Sequence, residues 1–426
     1  MAASNTSLDS VLKESYVIGS ITDNLNNNTD AWKDFESLTL NWTGKRCIIP
    51  LRIGRNTGIG AVAENGTLPT AGQQVYEDLQ VTARGVYGTM QISGLAIASG
   101  ANAAGIFNPT SLQSEMNYLV DDVRKMMTAF LFFGNSLIGF TWTKGAAVTD
   151  FEYSGRLDNT EDAFAGVAVG VGRTVQLVRL DTYATVGAAT QVDSITTVAG
   201  VPTLVVNAPI NSALTPADVG VVFGVVYATA VAADKNPANE PKGFYANLGA
   251  VNHFGVDRSL AANAEIRGNF RLADTIVATY QPLTTQGLDA SIARANLRSG
   301  KRFDKFWLAI EQLIAYSALL QGTAVSNLRV DVKDSSLKAD AGFTNLHHQG
   351  IPFVTSDLCP IGTIFGVNNA GYKRAVLDNG SWLDYNGVVR QVPGIDAGIA
   401  QWRMFYDLVC IQVNAQAALT AVAIPT

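Results

Sequence analysis

The chain has 426 residues, enough for roughly two or three packed units, and 47% of them are hydrophobic against 15% charged. A net charge of −6 argues against a dedicated nucleic-acid reader, which would carry a basic face. Three scattered cysteines, Cys47, Cys359 and Cys410, argue against a disulfide framework or a zinc-spaced set. Charge this far below the roughly 25% of an ordinary soluble domain points to surface hidden against neighbours, as in obligate assemblies. Residues 1–12 lack the apolar core of a signal peptide, and the longest apolar run, 219–233, is too short to cross a bilayer of ~30 Å.

The opening 44 residues read as an extended arm with two short helices. The first spans 9–21 and stops at the turn-forming NLNNNT of 24–29; the second spans 30–38, with Trp32 and Phe35 three apart. Such a segment has too little apolar surface to fold alone and is expected to lie on something else. Two extended stretches, 47–53 and 75–87, then flank a glycine-rich middle, 54–72, and predict a long hairpin with a flexible distal half. Its charges are mixed: Arg52, Arg55, Glu64, Glu77, Asp78 and Arg84. A hairpin this long needs a partner surface.

Apolar residues recurring at three and four positions from Leu112 to Phe130 predict a helix over 108–133, with Pro109 suited to its first turn and Gly134 to its end. Between them Asp121, Asp122, Arg124 and Lys125 read as a solvated face. From 145 to 235 the texture is β, with runs at 174–180, 191–198, 203–206 and 219–227 that predict a small inserted sandwich or barrel. Beyond it the pattern predicts helices over 283–298, with Leu288, Ile292, Ala295 and Asn296 or Leu297 along one side, and over 311–320. Strands are expected at 306–310, 350–355 and 361–367. The last stretch reads as strand 388–392, a Pro393-Gly394 turn and strand 397–413.

Catalytic signatures do not survive inspection. Gly134 to Gly139 places its second glycine one position late for a nucleophile elbow. Gly54, Gly58 and Gly60 are spaced loosely like a dinucleotide fingerprint, but no apolar helix follows, and they read as tip flexibility. His347 and His348 would point to opposite faces of a strand, which argues against a shared metal. The Met and Phe residues of 116–133 sit at helical spacing and read as core. No catalytic, cofactor-binding or metal site is expected.

The order of parts resembles the tailed-phage major capsid proteins of the Hong Kong 97-type fold. Ile53-Gly54-Arg55-Asn56 with Glu64-Asn65-Gly66-Thr67-Leu68-Pro69 is similar to that family's hairpin loop, and Asn239-Glu240-Pro241-Lys242-Gly243 to a turn before its central helices. Gly350-Ile351-Pro352-Phe353-Val354 and Asp357-Leu358-Cys359-Pro360 resemble its strand and turn; Trp382, Gly387, Val392-Pro393-Gly394 and Ala418-Leu419-Thr420 resemble its terminal ribbon. The resemblance covers nearly the whole chain outside 145–235.

It implies an α+β capsid fold: arm 1–44, extended hairpin loop 45–95, peripheral domain with the spine helix 96–135, axial domain 136–369 with the insert 145–235, ribbon 370–412, and a return to the axial domain in 413–426. Its expected role is structural, self-assembling through pentamers and hexamers into an icosahedral shell around double-stranded DNA without sequence-specific binding. The shell would be assembled in the host cytoplasm, with portal and scaffolding or decoration proteins as further partners and no membrane. Arg52, Arg55, Glu64, Glu77, Asp78 and Arg84 are the candidates for intersubunit contact. Some members cross-link a hairpin lysine to a ribbon-tip asparagine; 47–92 has no lysine and 392–397 no asparagine, so a non-covalent shell is expected. The start so close to the arm implies a separate scaffolding protein or none. Alternatives are the shell of a bacterial nanocompartment of encapsulin type and, in a different class, a secreted β-rich adhesin, against which the missing export signal counts.

Overall fold

The computed structural model describes residues 30–36, 39–42, 44–94, 110–132, 137–141, 150–152, 154–157, 168–169, 171–172, 174–179, 185–198, 201–208, 223–227, 240–249, 252–258, 260–272, 283–323, 346–384 and 387–420. The first expected helix, 9–21, lies outside them. Two compact units emerge, one including Tyr87–Val123 and Trp382–Trp402, the other Asn28–Val86, Arg124–Ser381 and Arg403–Thr426.

In the larger unit a six-stranded mixed sheet runs Asn269–Leu272, Ala417–Thr420, Ile364–Val367, Lys305–Leu308, Ile351–Thr355, His347–His348. Its central strand Ile364–Val367 is buried at every position, which accounts for an unbroken apolar sequence rather than an alternating one. Helix Thr285–Ser299 buries Leu288, Ser291, Ile292 and Ala295, a stripe at three- and four-residue spacing. The Thr284 hydroxyl accepts from the Gly287 N–H at 3.1 Å and starts it; Gly300, in the left-handed region at φ 70°, ends it. Asn296 and Leu297, one or other of which was expected along that side, are both exposed, Leu297 at 88%. Helix Ile310–Thr323 follows, longer at both ends than its apolar pattern predicts.

Among the described residues the insert forms an eight-stranded sheet in the order Asp150–Glu152, Val201–Val206, Thr185–Val198, Thr174–Arg179, Phe223–Tyr227, Leu137–Thr141, Ser154–Leu157, Ala168–Val169. All four predicted runs hold strand, the last in Phe223–Tyr227, its first four positions lying outside the described residues. The sheet recruits Leu137–Thr141, upstream of the expected start at 145, by antiparallel pairing with Phe223–Tyr227.

The segment before the hairpin departs most from expectation. Helix Asp30–Glu36 lies in this chain's own core, with Phe35 fully buried and set edge-on to Phe244 at 5.4 Å and Tyr372 at 5.6 Å between ring centroids. Trp32 packs edge-on to Tyr406 at 5.3 Å beneath the Arg374 guanidinium, and the Lys305 ammonium pairs with Asp34 at 2.5 Å. Thr39–Asn41 then adds in parallel to 374–376. Residues 30–41 therefore belong to the folded body rather than to a free arm: two aromatics three apart found their partners some 200 to 370 positions downstream.

The spine helix spans Thr110–Phe132. Met127, Leu131 and Phe132 are buried, and Phe132 meets Phe244 and Trp307 edge-on. Lys125 corrects the solvated-face reading, for it is 3% exposed and forms an ion pair with Asp357. In the smaller unit, a Cβ on Gly88 would come within 2.9 Å of the Val123 side chain, so glycine lets strand Arg84–Ser93 approach the helix. The ribbon turn is as predicted: Val389–Gln391 pairs with 398–400, the Val392 N–H donates to the Ala397 carbonyl at 2.9 Å, and Gly394 takes φ 79°. The sequence pattern did not single out strand Tyr372–Trp382, which neighbours Ala397–Cys410 in the sheet.

Candidate assembly surface

The hairpin forms from Cys47–Gly54 and Val75–Val81, antiparallel, with Ile49 opposite Leu79 and Leu51 opposite Glu77. Strand alternation explains its two faces. Cys47 and Ile53 on one strand, and Leu79 and Val81 on the other, are buried in the main core; Ile48, Pro50 and Arg52 face outward. On the returning strand burial begins only at Leu79, and everything from Val75 to Asp78 is exposed. The hairpin is thus rooted in its own body and bare beyond the root.

The distal loop is closed by a neck. The Gly58 N–H donates to the Asn56 side chain at 2.7 Å, and a Cβ on Gly72 would lie 2.5 Å from that same oxygen and 2.7 Å from the Gly58 nitrogen. The glycines serve close backbone approach, not looseness as expected from their number. At the tip the Gly66 N–H donates to the Ala63 carbonyl at 2.9 Å, with Asn65 in the left-handed region at φ 63°, where asparagine is tolerated. Ile59 is 84% and Leu68 80% exposed, an uncovered apolar surface at the far end. Replacing Gly72 with valine is expected to spring the neck and leave the core intact. Limited proteolysis should cut 55–74 at least several-fold faster in G72V while the unfolding midpoint holds.

Of the six predicted contact residues, Arg52, Arg55, Glu64, Glu77 and Asp78 are exposed and carry no ion pair among the described residues. Arg84 is placed otherwise. The expected single strand 75–87 breaks at 82–83, and Arg84, opening the next strand, donates to Asp407 at 3.2 Å within its own chain. Asp407 is fully buried and also accepts the Lys242 and Leu408 backbone N–H groups at 2.8 and 2.9 Å. Burial pushes its carboxyl up to about 6, against the pull of Arg84 and Lys242. Burial likewise lowers the Lys242 ammonium to about 8, while Asp407 raises it. His253, behind them, is held well below its usual value by burial first and then by Arg258; its ring Nε2 lies 2.8 Å from the Cys410 carbonyl. This polar set fastens the corner where the chain leaves the hairpin.

Sequence reading also missed a partly buried array. His348 Nε2 lies 2.7 Å from Asp289 and Nδ1 3.0 Å from the Tyr316 hydroxyl, tying two helices to strand His347–His348, while His347 faces outward. The alternation of the two histidines was legible; the partners, 59 and 32 residues away, were not. No group of three metal-ligating side chains occurs among the described residues. Gly134 to Ser136 lie outside them, and Leu137–Thr141 is strand.

No protein-family model matches this sequence, and no curated protein matches it. Solved structures do. A chain of the cyanophage A-1(L) capsid asymmetric unit aligns with TM-score 0.54 and 10% identity, over 97% of this chain and 98% of that one. A chain from the capsid of a native GTA particle aligns with TM-score 0.50 and 9% identity, over 99% and 100%. The correspondence is end to end in both directions, and the rooted hairpin, spine helix and terminal ribbon are present here in the expected order. The chain has the Hong Kong 97-type capsid fold.

Proposed function

We propose that this chain is the major capsid subunit of a tailed, double-stranded DNA phage, which closes with copies of itself into a non-covalent icosahedral shell in the virion. The observation that carries the reading is the full-length correspondence with a cyanophage capsid chain, 97% and 98% covered, with no large part left over for another task. The bare hairpin agrees with it. A hairpin that exposes Ile59, Leu68 and five charges with no ion pair among the described residues reaches low free energy when it is covered, and identical copies supply that cover in a closed symmetric assembly. A portal protein is a further partner in this reading, with a scaffolding or decoration protein as the other class of partner to test for.

Expression of the chain, with or without a scaffolding partner, followed by electron microscopy tests it. Hollow closed shells are expected, and in denaturing gels their protein should run as a single monomer band. A ladder of cross-linked species would overturn the non-covalent shell. Particles recovered from infected cells should hold double-stranded DNA; a protein cargo would move the chain to the nanocompartment reading.

A further inference from the structure

Charge is segregated between the two arms of the hairpin. Residues 45–55 carry Lys45, Arg46, Arg52 and Arg55 and no acid, whereas Val75–Val81 carries Glu77 and Asp78 and no base. The register sets Leu51 opposite Glu77 and Pro50 opposite Asp78, so the arms do not neutralise each other through directly facing pairs. The acidic arm also bares Val75 and Tyr76.

Beside the basic arm runs a groove of about 940 Å³, bounded by residues 50–55 on one side and by 265–266, 297–299 and 411–414 on the other. Its side chains include Arg52, Arg55 and Arg298 against one acid, Glu265. Burial first, then Arg294 and, more weakly, Arg267 hold the Arg298 guanidinium below its usual value, with Glu265 opposing. Leu297, the exposed outlier of its helix, also lines the groove. One chain therefore owns an acidic strand with uncovered aromatic surface and, bordered by the facing arm of the same hairpin, a basic groove with uncovered apolar surface.

We propose that hairpins of neighbouring copies pack head to tail, the acidic strand of one, through Tyr76, Glu77 and Asp78, against the basic groove of the next, through Arg52, Arg55 and Leu297. The proposal rests on the shell-subunit reading and adds which surface meets which. A head-to-tail contact of this kind is heterologous and propagates around a ring until rotation closes it. Opposite charges there select direction and register more than they add affinity, and like charges facing each other are strongly disfavoured.

Four chains test it by sedimentation velocity at low salt and by particle counts: wild type, acid-reversed (Glu77→Lys with Asp78→Lys), base-reversed (Arg52→Glu with Arg55→Glu), and all four changes together. The substituted side chains are exposed, so thermal unfolding of the unassembled chains should be unchanged. Each half-reversed chain alone is expected to lose association at least tenfold. The fully swapped chain should regain it, and the two half-reversed chains should associate with each other when mixed. Half-reversed chains that associate like wild type would overturn the proposal, as would a full swap no better than its halves. Base reversal that matters while acid reversal is silent would mean another occupant, a polyanion for instance, and would overturn it too. If wild type forms no particles, the shell reading falls, yet the mixed pair still decides this contact: a heterodimer supports it and its absence removes it.

Discussion

Replacing Arg84 with alanine is expected to lower the unfolding free energy of the unassembled chain by about 3–5 kcal/mol at pH 7.5, because it strands a buried carboxylate. Asp407 is fully buried, and Arg84 forms its ion pair at 3.2 Å, with the Lys242 ammonium exerting a smaller pull on the same charge. The remaining acceptor contacts, the Lys242 and Leu408 N–H groups, are dipoles and leave the charge desolvated. The pH dependence follows from the carboxyl standing at about 6 when folded against 3.8 ordinarily. Between those values the folded chain holds a proton that the unfolded chain has released, so stability is lost as pH rises through about 6. At pH 5 the folded carboxyl is already neutral, and R84A should cost only a lost hydrogen bond, on the order of 1 kcal/mol. Urea unfolding of wild type and R84A at the two pH values measures this; equal losses at both would show that Asp407 does not carry the effect.

Phe35→Ala should cost about 3–5 kcal/mol in the same assay, as for other buried phenylalanines. Its ring is fully buried between Phe244 and Tyr372, which in turn meet each other at 5.2 Å, so the cavity would open inside a linked aromatic cluster with little room to collapse. The variant also decides how far the folded body extends. Were 30–36 a segment that orders only on a neighbour, F35A would leave the unassembled chain as stable as wild type and harm assembly alone.

How much of this was legible in the sequence depended on range. Strand alternation, turn chemistry and helix periodicity act over a few residues, and they located the hairpin, the spine helix, the four runs of the insert and the Pro393-Gly394 turn. Burial of polar groups is decided over hundreds. Lys125 sits among Asp121, Asp122 and Arg124 and reads as solvated; its partner Asp357 is 232 residues on. Arg84 lies among exposed hairpin charges and reads as one of them, with Asp407 323 residues away. Leu297, nine positions after Leu288, falls about 180° round the helix from the Leu288, Ile292 and Ala295 stripe, so helical spacing alone, applied strictly, places it on the outer face. Strand Leu137–Thr141 was hidden by its place just after a long helix, which drew the insert boundary too late. Of the proposed surface, the residue types and the mixture of signs were visible beforehand. Their separation onto two arms was legible too, from the predicted strands; the facing pairs required the register, and the groove that only one arm borders required the return of 411–414 to the hairpin root.

Hydrogen–deuterium exchange over residues 55–74, compared between unassembled chain and purified particles, tests most directly whether the bare half of the hairpin exists to be covered by a sibling. Slowed exchange in particles, with unassembled chain exchanging freely, is the predicted result. Equal exchange in both would contradict it.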